Sequence, residues 1–484
     1  MICISITPES RQLAKVDILN ASRQGDVVEV CLDHLIKEPD IKDLLEGAKK
    51  PIMISCRKPD EGGKFEGSDD ERVMLLKQAI LAGPAYVELD LETAKKIPRF
   101  GKTQRVVSQT SLDRPLSDID TMMEDALAAK ADIAKFTWPT QNLEAAWPLL
   151  AAVSQKRSTP VVGMGIGRGG LAFSLLGRKY GSPWIYAALE QGMEAFPGQP
   201  TVGDLDEIYR WRQIGPKTRF FAIIGTGAFE QQLSRVLNTA FHAMNLDTRC
   251  LPFDIRSLDS LAKRLDILKI PAVIATPNAF HELFRLAEKT DEVAQQAGHA
   301  DLFIKQTDGW QGYNLIWKTA LRVLENQLGR KTSEDRPLDR RNALILGCGG
   351  LGKSVAAGIK KRSGMVSIAS GDDDVAQKTA GQLEMRYVPS VKIYDTLVDV
   401  VVFTVANFDH GKKLMPINSS LLRPGMTVMD LNDLPTGSKF SVEAKERGCK
   451  VVDPGDVFSE YVSTLFKSLT GQDLPSEAAS LMTT

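Results

Sequence analysis

Short apolar runs alternating with helix-length stretches of mixed polarity fill the first 210 residues of the chain. The runs fall at Ile2–Ile6, Val27–Leu32, Pro51–Cys56, Tyr86–Leu89, Arg105–Ser108, Asp132–Phe136 and Pro160–Gly163, with a weaker one near Trp184–Ala187. Apolar runs of this length predict strands of a parallel sheet covered on both faces. Eight β/α units in so short a span predict a compact (β/α)8 barrel, with its chemistry at the C-terminal ends of the strands. A break at Gly215-Pro216 precedes a second α/β region. Its strands are expected at Arg219–Gly225, Arg249–Pro252 and Ala272–Thr276, and its helices around Gln232–Asn245, Ser257–Leu268 and Gly312–Gln327. After the polar stretch Gly329–Pro337, a third region opens with Asn342–Leu346. It continues through Met365–Ala369, Val398–Thr404, Thr427–Asp430 and Lys450–Asp453 in a doubly wound pattern. The expected fold class is α/β: a barrel over 1–215, a small α/β domain over 216–330 and a Rossmann-like dinucleotide-binding domain over 338–454. Helices in 455–484 are expected to pack back onto the small domain.

One residue conflicts with this pattern. Lys135 lies inside the run Ala131-Asp132-Ile133-Ala134-Lys135-Phe136-Thr137-Trp138, and a strand interior is a costly place for an ammonium group. Two readings stand. The lysine is paired with a carboxylate or snorkels from a strand end, or its amine is kept for attack on a carbonyl. The 60 Lys and Arg residues nearly balance the 61 Asp and Glu, which gives no argument for nucleic acid or an acidic membrane as partner. No apolar run reaches the length of a membrane helix, and MICISITPES reads as a strand rather than a signal peptide. Six scattered cysteines with no CxxC pair suit a reducing cytoplasm and offer no zinc pattern, so no metal is expected.

Between the strand and helix that open the third region lies Gly347-Cys348-Gly349-Gly350-Leu351-Gly352, a match to G-x-G-x-x-G. Gly347, Gly349, Gly350 and Gly352 permit a tight turn and let backbone amides approach a pyrophosphate at the helix N-terminus. The next strand ends in Ser370-Gly371-Asp372-Asp373-Asp374. Asp372 there bonds a ribose 2′-hydroxyl and repels a 2′-phosphate, which favours NAD over NADP; equally, the three aspartates open the next helix.

The barrel region resembles type I 3-dehydroquinate dehydratase, and residues 216–484 resemble shikimate dehydrogenase. Together they look like the fused bifunctional enzyme of the shikimate pathway of aromatic amino-acid biosynthesis. Val28-Glu29-Val30-Cys31-Leu32-Asp33 is similar to the E-x-R-x-D strand, and Arg57-Lys58-Pro59-Asp60-Glu61-Gly62-Gly63 to R-x-x-x-E-G-G. Asp132-Ile133-Ala134-Lys135 is similar to the strand carrying the Schiff-base lysine, and Pro197-Gly198-Gln199 to the substrate-binding P-G-Q loop. The resemblance implies Lys135 as imine former, with Glu29, Arg57, Glu61 and Gln199 around the substrate. In the second half, Gln306-Thr307-Asp308-Gly309 is similar to N-T-D-x-x-G, which implies Asp308 as a catalytic residue at the reacting hydroxyl. The family's cofactor is NADP, so NAD(P) is expected at the glycine-rich turn. The partner is a small keto acid such as 3-dehydroquinate or 3-dehydroshikimate; the oligomeric state stays open, with a homodimer as one assembly that such barrels form.

Several positions depart from the family. The barrel histidine of S-x-H-D falls on Thr110, and the arginine of E-x-R-x-D on Cys31. A later arginine falls on Leu175, with Arg168 and Arg178 nearby, and a serine before P-G-Q falls near Ala195. In the second half, the carboxylate-binding serines fall on Gln231 and Leu233, the lysine on Phe280, and a late glutamine near Tyr461. The arginine that holds the 2′-phosphate falls within Ser370-Gly371-Asp372. The sequence therefore predicts a bifunctional lyase and dehydrogenase with weakened activity. An altered Schiff-base lyase on another keto compound and a non-catalytic ligand-binding protein stand as alternatives.

Overall fold

Eight strands, β1 (Ile2–Ile6), β2 (Val27–Cys31), β3 (Ile52–Ser55), β4 (Tyr86–Asp90), β5 (Gln104–Thr110), β6 (Ile133–Pro139), β7 (Val161–Ile166) and β8 (Ile185–Ala188), build the first part of the chain. They run parallel in the order β7-β6-β5-β4-β3-β2-β1-β8, a near-barrel whose ladders end at β7 and β8. The structure, a computed structural model, describes residues 1–37, 39–116, 118–277, 279, 281–409 and 414–482. It divides into one unit of Met1–Thr218 with Leu251–Arg256 and a second of Arg219–Cys250 with Ser257–Thr484.

The strand pattern explains how a polar layer comes to sit inside an apolar barrel. Cys3, Val27, Met53, Val106, Ile133 and Trp184 belong to one buried cluster toward the N-terminal ends of the strands. Side chains on one face of a strand repeat every second residue. The next inward layer toward the C-terminal ends is therefore Ser5, Glu29, Ser55, Ser108, Lys135 and Tyr186, and all six are buried. Each large apolar side chain in the lower layer contributes roughly 1.5–3 kcal/mol, and that plug carries the polar layer above it. The outer helices start on side-chain caps: Ser10 accepts from Leu13 N–H, and Ser68 forms a reciprocal capping box with Glu71.

Two further six-stranded sheets follow in the chain. β9 (Arg219–Ile224), β10 (Thr248–Phe253), β11 (Ala272–Ala275), β12 (Lys289–Thr290), β13 (Leu302–Gln306) and β14 (Gly309–Tyr313) are ordered β10-β9-β11-β13-β14-β12. The antiparallel pair β13–β14 is absent from the sequence expectation, and Gly312 and Tyr313, expected in a helix, end β14. The helix that follows is Ile316–Gln327. The second sheet consists of β15 (Asn342–Leu346), β16 (Met365–Ala369), β17 (Arg386–Tyr387) and β18 (Val400–Phe403), then, after a short hairpin β19 (Asn407–Asp409) and β20 (Leu414–Pro416), β21 (Thr427–Asp430) and β22 (Lys450–Val452). Its order, β17-β16-β15-β18-β21-β22, is the doubly wound arrangement, parallel throughout. The helix Pro454–Thr470 returns to the helix Ala228–Ala243: Phe458 meets Phe229 edge-on at 5.2 Å, and Phe466 lies 5.6 Å from Phe241. Among the described residues no helix is long and apolar enough to cross a membrane.

Candidate functional site

Lys135 is fully buried in the middle of β6, in register with Ser108 of β5 and Val162 of β7. Its Nζ donates to Glu88 Oε2 at 2.7 Å and lies 4.4 Å from the centre of the Tyr186 ring. Glu88, on β4, also accepts from Arg57, at 3.3 Å from Nε and 3.0 Å from Nη2. Arg57 Nη2 pairs in addition with Glu29 on β2. Glu29 accepts from Ser5 Oγ at 2.6 Å, and Ser5 Oγ in turn accepts from Gln199 Nε2 at 3.3 Å. Four strands and two loops thus hold one polar chain from Gln199 to Lys135. Burial pushes the Glu88 carboxyl up, but the cations Arg57 and Lys135 outweigh it and hold the group well below the usual carboxylate range.

The structure brings Glu29, Arg57, Gln199 and Lys135 into one connected network. Glu61 stands on the turn Pro59–Glu61 that follows β3, half-buried. The sequence reading missed Glu88, the direct partner of Lys135. Its signal was available: a carboxylate between the apolar Val87 and Leu89, the same anomaly as Lys135 itself. Of the departures, Cys31 is buried and its sulfur lies 3.6 Å from Arg57 Nη1. Thr110 ends β5 beside Thr137 of β6, and Leu175 is wholly buried. Arg178 stacks over Trp211 at 5.0 Å and feels the Met1 amine, at the N-terminal end of the strands. Arg168, just beyond β7, is at the opposite, C-terminal end.

In the second unit the glycine-rich turn joins β15 to the helix Gly350–Lys361, which has no side-chain cap. Gly347 has φ +120°, and a Cβ on Gly352 would overlap the Gly347 carbonyl oxygen, so both positions are fixed by backbone contact. Around Gly349, by contrast, a Cβ would meet nothing within 4 Å. Open space beside uncapped amide groups at a helix N-terminus fits a pyrophosphate. At Gly350 the ring of His299 comes close, its Cγ 2.7 Å from a built Cβ, and burial lowers that imidazole to about 4. Asp372 caps the helix Asp373–Gln382, Oδ1 accepting from Asp374 and Val375 N–H at 3.0 Å each, which leaves Oδ2 outside the cap.

Asp308 is placed elsewhere. It lies in the turn of the β13–β14 hairpin, between Gln306 and Gly309, which face each other in the ladder. Its side chain is 57% exposed and pairs with the equally exposed Lys289, and that bond lowers its carboxyl. The structure thus places Asp308 in an exposed turn, where Asp-Gly is hairpin chemistry. Asp308→Asn is expected to leave dinucleotide affinity, measured by titration, and thermal stability at wild-type values, since exposed ion pairs contribute little. Phe280, the position of the family lysine, lies outside the described residues. Gln231 and Leu233 stand on the helix Ala228–Ala243, where Leu233 is wholly buried. Tyr461 is buried with its ring 5.6 Å from Phe229.

Residues 2–216 match the family model for type I 3-dehydroquinase. The chain is 24% identical over 503 residues to the chloroplastic bifunctional 3-dehydroquinate dehydratase/shikimate dehydrogenase of Arabidopsis thaliana, covering 99% of this chain and 83% of that protein. It is 30% identical over 219 residues to the 3-dehydroquinate dehydratase of Dehalococcoides mccartyi, with 43% of this chain and 94% of the relative covered. The shikimate dehydrogenase (NADP(+)) of Syntrophobacter fumaroxidans is 26% identical over 246 residues, with 50% of this chain and 83% of the relative covered.

Proposed function

Since the chain belongs to the type I 3-dehydroquinase family through residues 2–216, we propose that its barrel dehydrates a keto acid of the 3-dehydroquinate class through an imine on Lys135. One observation carries the reading: a wholly buried lysine on β6 whose Nζ lies 2.7 Å from Glu88. Condensation of the amine with a ketone leaves the positive charge on nitrogen. Glu88 then remains its counter-charge, fixed in place by Arg57 before the reaction begins. The iminium withdraws electrons from the adjacent carbon, so its proton leaves more readily and the β-hydroxyl can follow. Glu29, Arg57 and Gln199 supply the surrounding polar contacts, and Gln199 also accepts from Ala195 N–H at 2.9 Å, which orients its amide. Incubation with 3-dehydroquinate and borohydride is expected to add one reduced substrate to Lys135, read by peptide mass. An unmodified Lys135 at saturating substrate removes the reading.

For the second unit we read a nicotinamide dinucleotide at the glycine-rich turn. When bound, it would supply hydride transfer; the amides of Gly350–Gly352 would hold its pyrophosphate and Asp372 its adenosine ribose. The Syntrophobacter relative carries NADP(+) in its name; here the second strand of the glycine-turn sheet leads into Asp372, an acidic residue suited to a ribose 2′-hydroxyl and opposed to a 2′-phosphate, so NAD is the expected ligand. Titration is expected to give tighter binding of NAD than of NADP, with the gap narrowed in Asp372→Ala. Tighter NADP binding refutes the Asp372 argument, and binding of neither removes the dinucleotide. Asp308 has no part in this reading. Six unpaired cysteines suit a reducing compartment, and we place the protein in the cytoplasm on that ground.

A further inference from the structure

We propose that Glu61 is the proton-transfer residue of the barrel, taking the C–H proton of the substrate imine and returning it to the departing hydroxyl. The inference rests on the imine reading of Lys135 and adds the acid–base partner that reading lacks. The histidine position is held by Thr110, whose hydroxyl does not titrate in the working range. Most other carboxylates at the barrel mouth are committed. Glu29 and Glu88 are locked into the buried network with Arg57 and Lys135. Asp33 accepts from Arg57 N–H at 3.2 Å and Lys64 N–H at 3.0 Å. Asp90 accepts from Thr93 N–H at 3.1 Å, Arg72 at 2.9 Å and Lys58 at 3.3 Å. Glu61 belongs to none of these ion pairs.

Its position is set by the two glycines that follow. Gly62 has φ +84°, and a Cβ on Gly63 would overlap the Arg57 carbonyl, so the turn folds back against the arginine of the network. A Cβ built on Gly62 falls 2.7 Å from Phe196 Cε1 and 3.5 Å from Leu112 Cδ2. Phe196 precedes the Pro197-Gly198-Gln199 loop and lies 5.1 Å from the Arg57 guanidinium. Leu112 is two residues beyond Thr110. The turn bearing Glu61 is therefore wedged between the loop that delivers Gln199 and the loop that follows Thr110 at the end of β5. Burial, then the negative charges of Asp90 and Glu88, raise the Glu61 carboxyl to about 7 against the opposing pull of Lys58. A carboxyl poised there exchanges protons in both directions near neutrality. Thr137, two residues beyond Lys135 and on the same strand face, is wholly buried with Oγ1 lacking a hydrogen-bond partner. It offers the departing hydroxyl a contact.

The step balances without a further reagent. The carboxylate takes the proton from the carbon beside the iminium, the C–H pair becomes a C=C bond, and the C=N π pair moves to nitrogen. The nitrogen pair then returns, the β-carbon–oxygen bond breaks, and the carboxylic acid gives its proton to the oxygen, which leaves as water. Glu61 ends as carboxylate, and a second water hydrolyses the imine.

The test uses the full chain and 3-dehydroquinate. Glu61→Gln is expected to keep the borohydride adduct on Lys135, to lose 10²- to 10⁴-fold in kcat, and to lose the near-neutral limb of the pH profile; Glu61→Asp is expected to recover part of the rate. Wild-type turnover and pH limb in Glu61→Gln, with the adduct present, overturn Glu61 alone. Absence of the adduct in wild type overturns the imine reading and Glu61 with it. Loss of the limb in His34→Asn, but not in Glu61→Gln, also overturns the assignment.

Discussion

Lys135→Ala is expected to abolish the trapped adduct and to lower dehydration of 3-dehydroquinate by roughly 10⁴-fold or more, as removal of a covalent nucleophile does in enzymes whose site acts as a unit. No second amine in the buried network can take its place, because the remaining cation, Arg57, is held by Glu29 and Glu88. The structural cost is smaller than the catalytic one. Glu88 keeps Arg57 at 3.0 Å when Lys135 is lost, so the carboxylate is not left alone. Unfolding in urea is expected to show a loss of about 1–3 kcal/mol, the scale of one missing charged hydrogen bond. Lys135→Met, which refills the volume without the charge, is expected to recover part of that stability and none of the activity. An adduct that survives in Lys135→Ala would place the chemistry on another residue.

Glu88→Ala carries the larger effect on folding. It removes the one carboxylate bonded to Lys135 and one of the two bonded to Arg57. A buried ammonium is then left facing the Tyr186 ring at 4.4 Å without a carboxylate partner among the described residues. Breaking a buried pair in this way costs about 3–5 kcal/mol. The pH dependence has a definite sign. Because the folded carboxyl lies below its unfolded value, Glu88 contributes stability above the unfolded carboxyl range, about pH 4.3, and loses that contribution as pH falls through the folded value. Wild type is therefore expected to lose stability steadily below about pH 4, and Glu88→Gln to show a flatter acid limb from a lower plateau. Equal acid limbs in the two proteins would remove the ion pair as the cause.

The barrel strands were legible because parallel strands buried on both faces leave apolar runs that no surface constraint interrupts. Lys135 was legible for the same reason, as the exception within one. Its partner was not, because Glu88 and Lys135 are 47 residues apart and meet only when β4 and β6 flank β5. The hairpin β13–β14 was missed although Asp308-Gly309 signals a turn. There a resemblance to a catalytic motif displaced the local reading, and the structure shows the residue in a hairpin turn, paired with Lys289. Glu61 was read as a substrate contact. Its near-neutral carboxyl arises from burial and then from Asp90 and Glu88, which the fold supplies and the sequence does not show.

The aromatic contacts of the second unit also set a schedule for its synthesis. Phe229 and Phe241 are covered by Phe458 and Phe466, more than two hundred residues later in the chain. At ribosomal rates of about 5–20 residues per second, that interval lasts roughly 10 to 45 s. During it, the helix Ala228–Ala243 has emerged without its later partner: Phe241 already has Phe221 of β9 at 5.8 Å, whereas the ring contacts of Phe229 to Phe458 and Tyr461 are still to come. A chain terminated before Pro454 would keep that face of the helix uncovered, so the order of synthesis makes the late helix the last piece of this core to arrive.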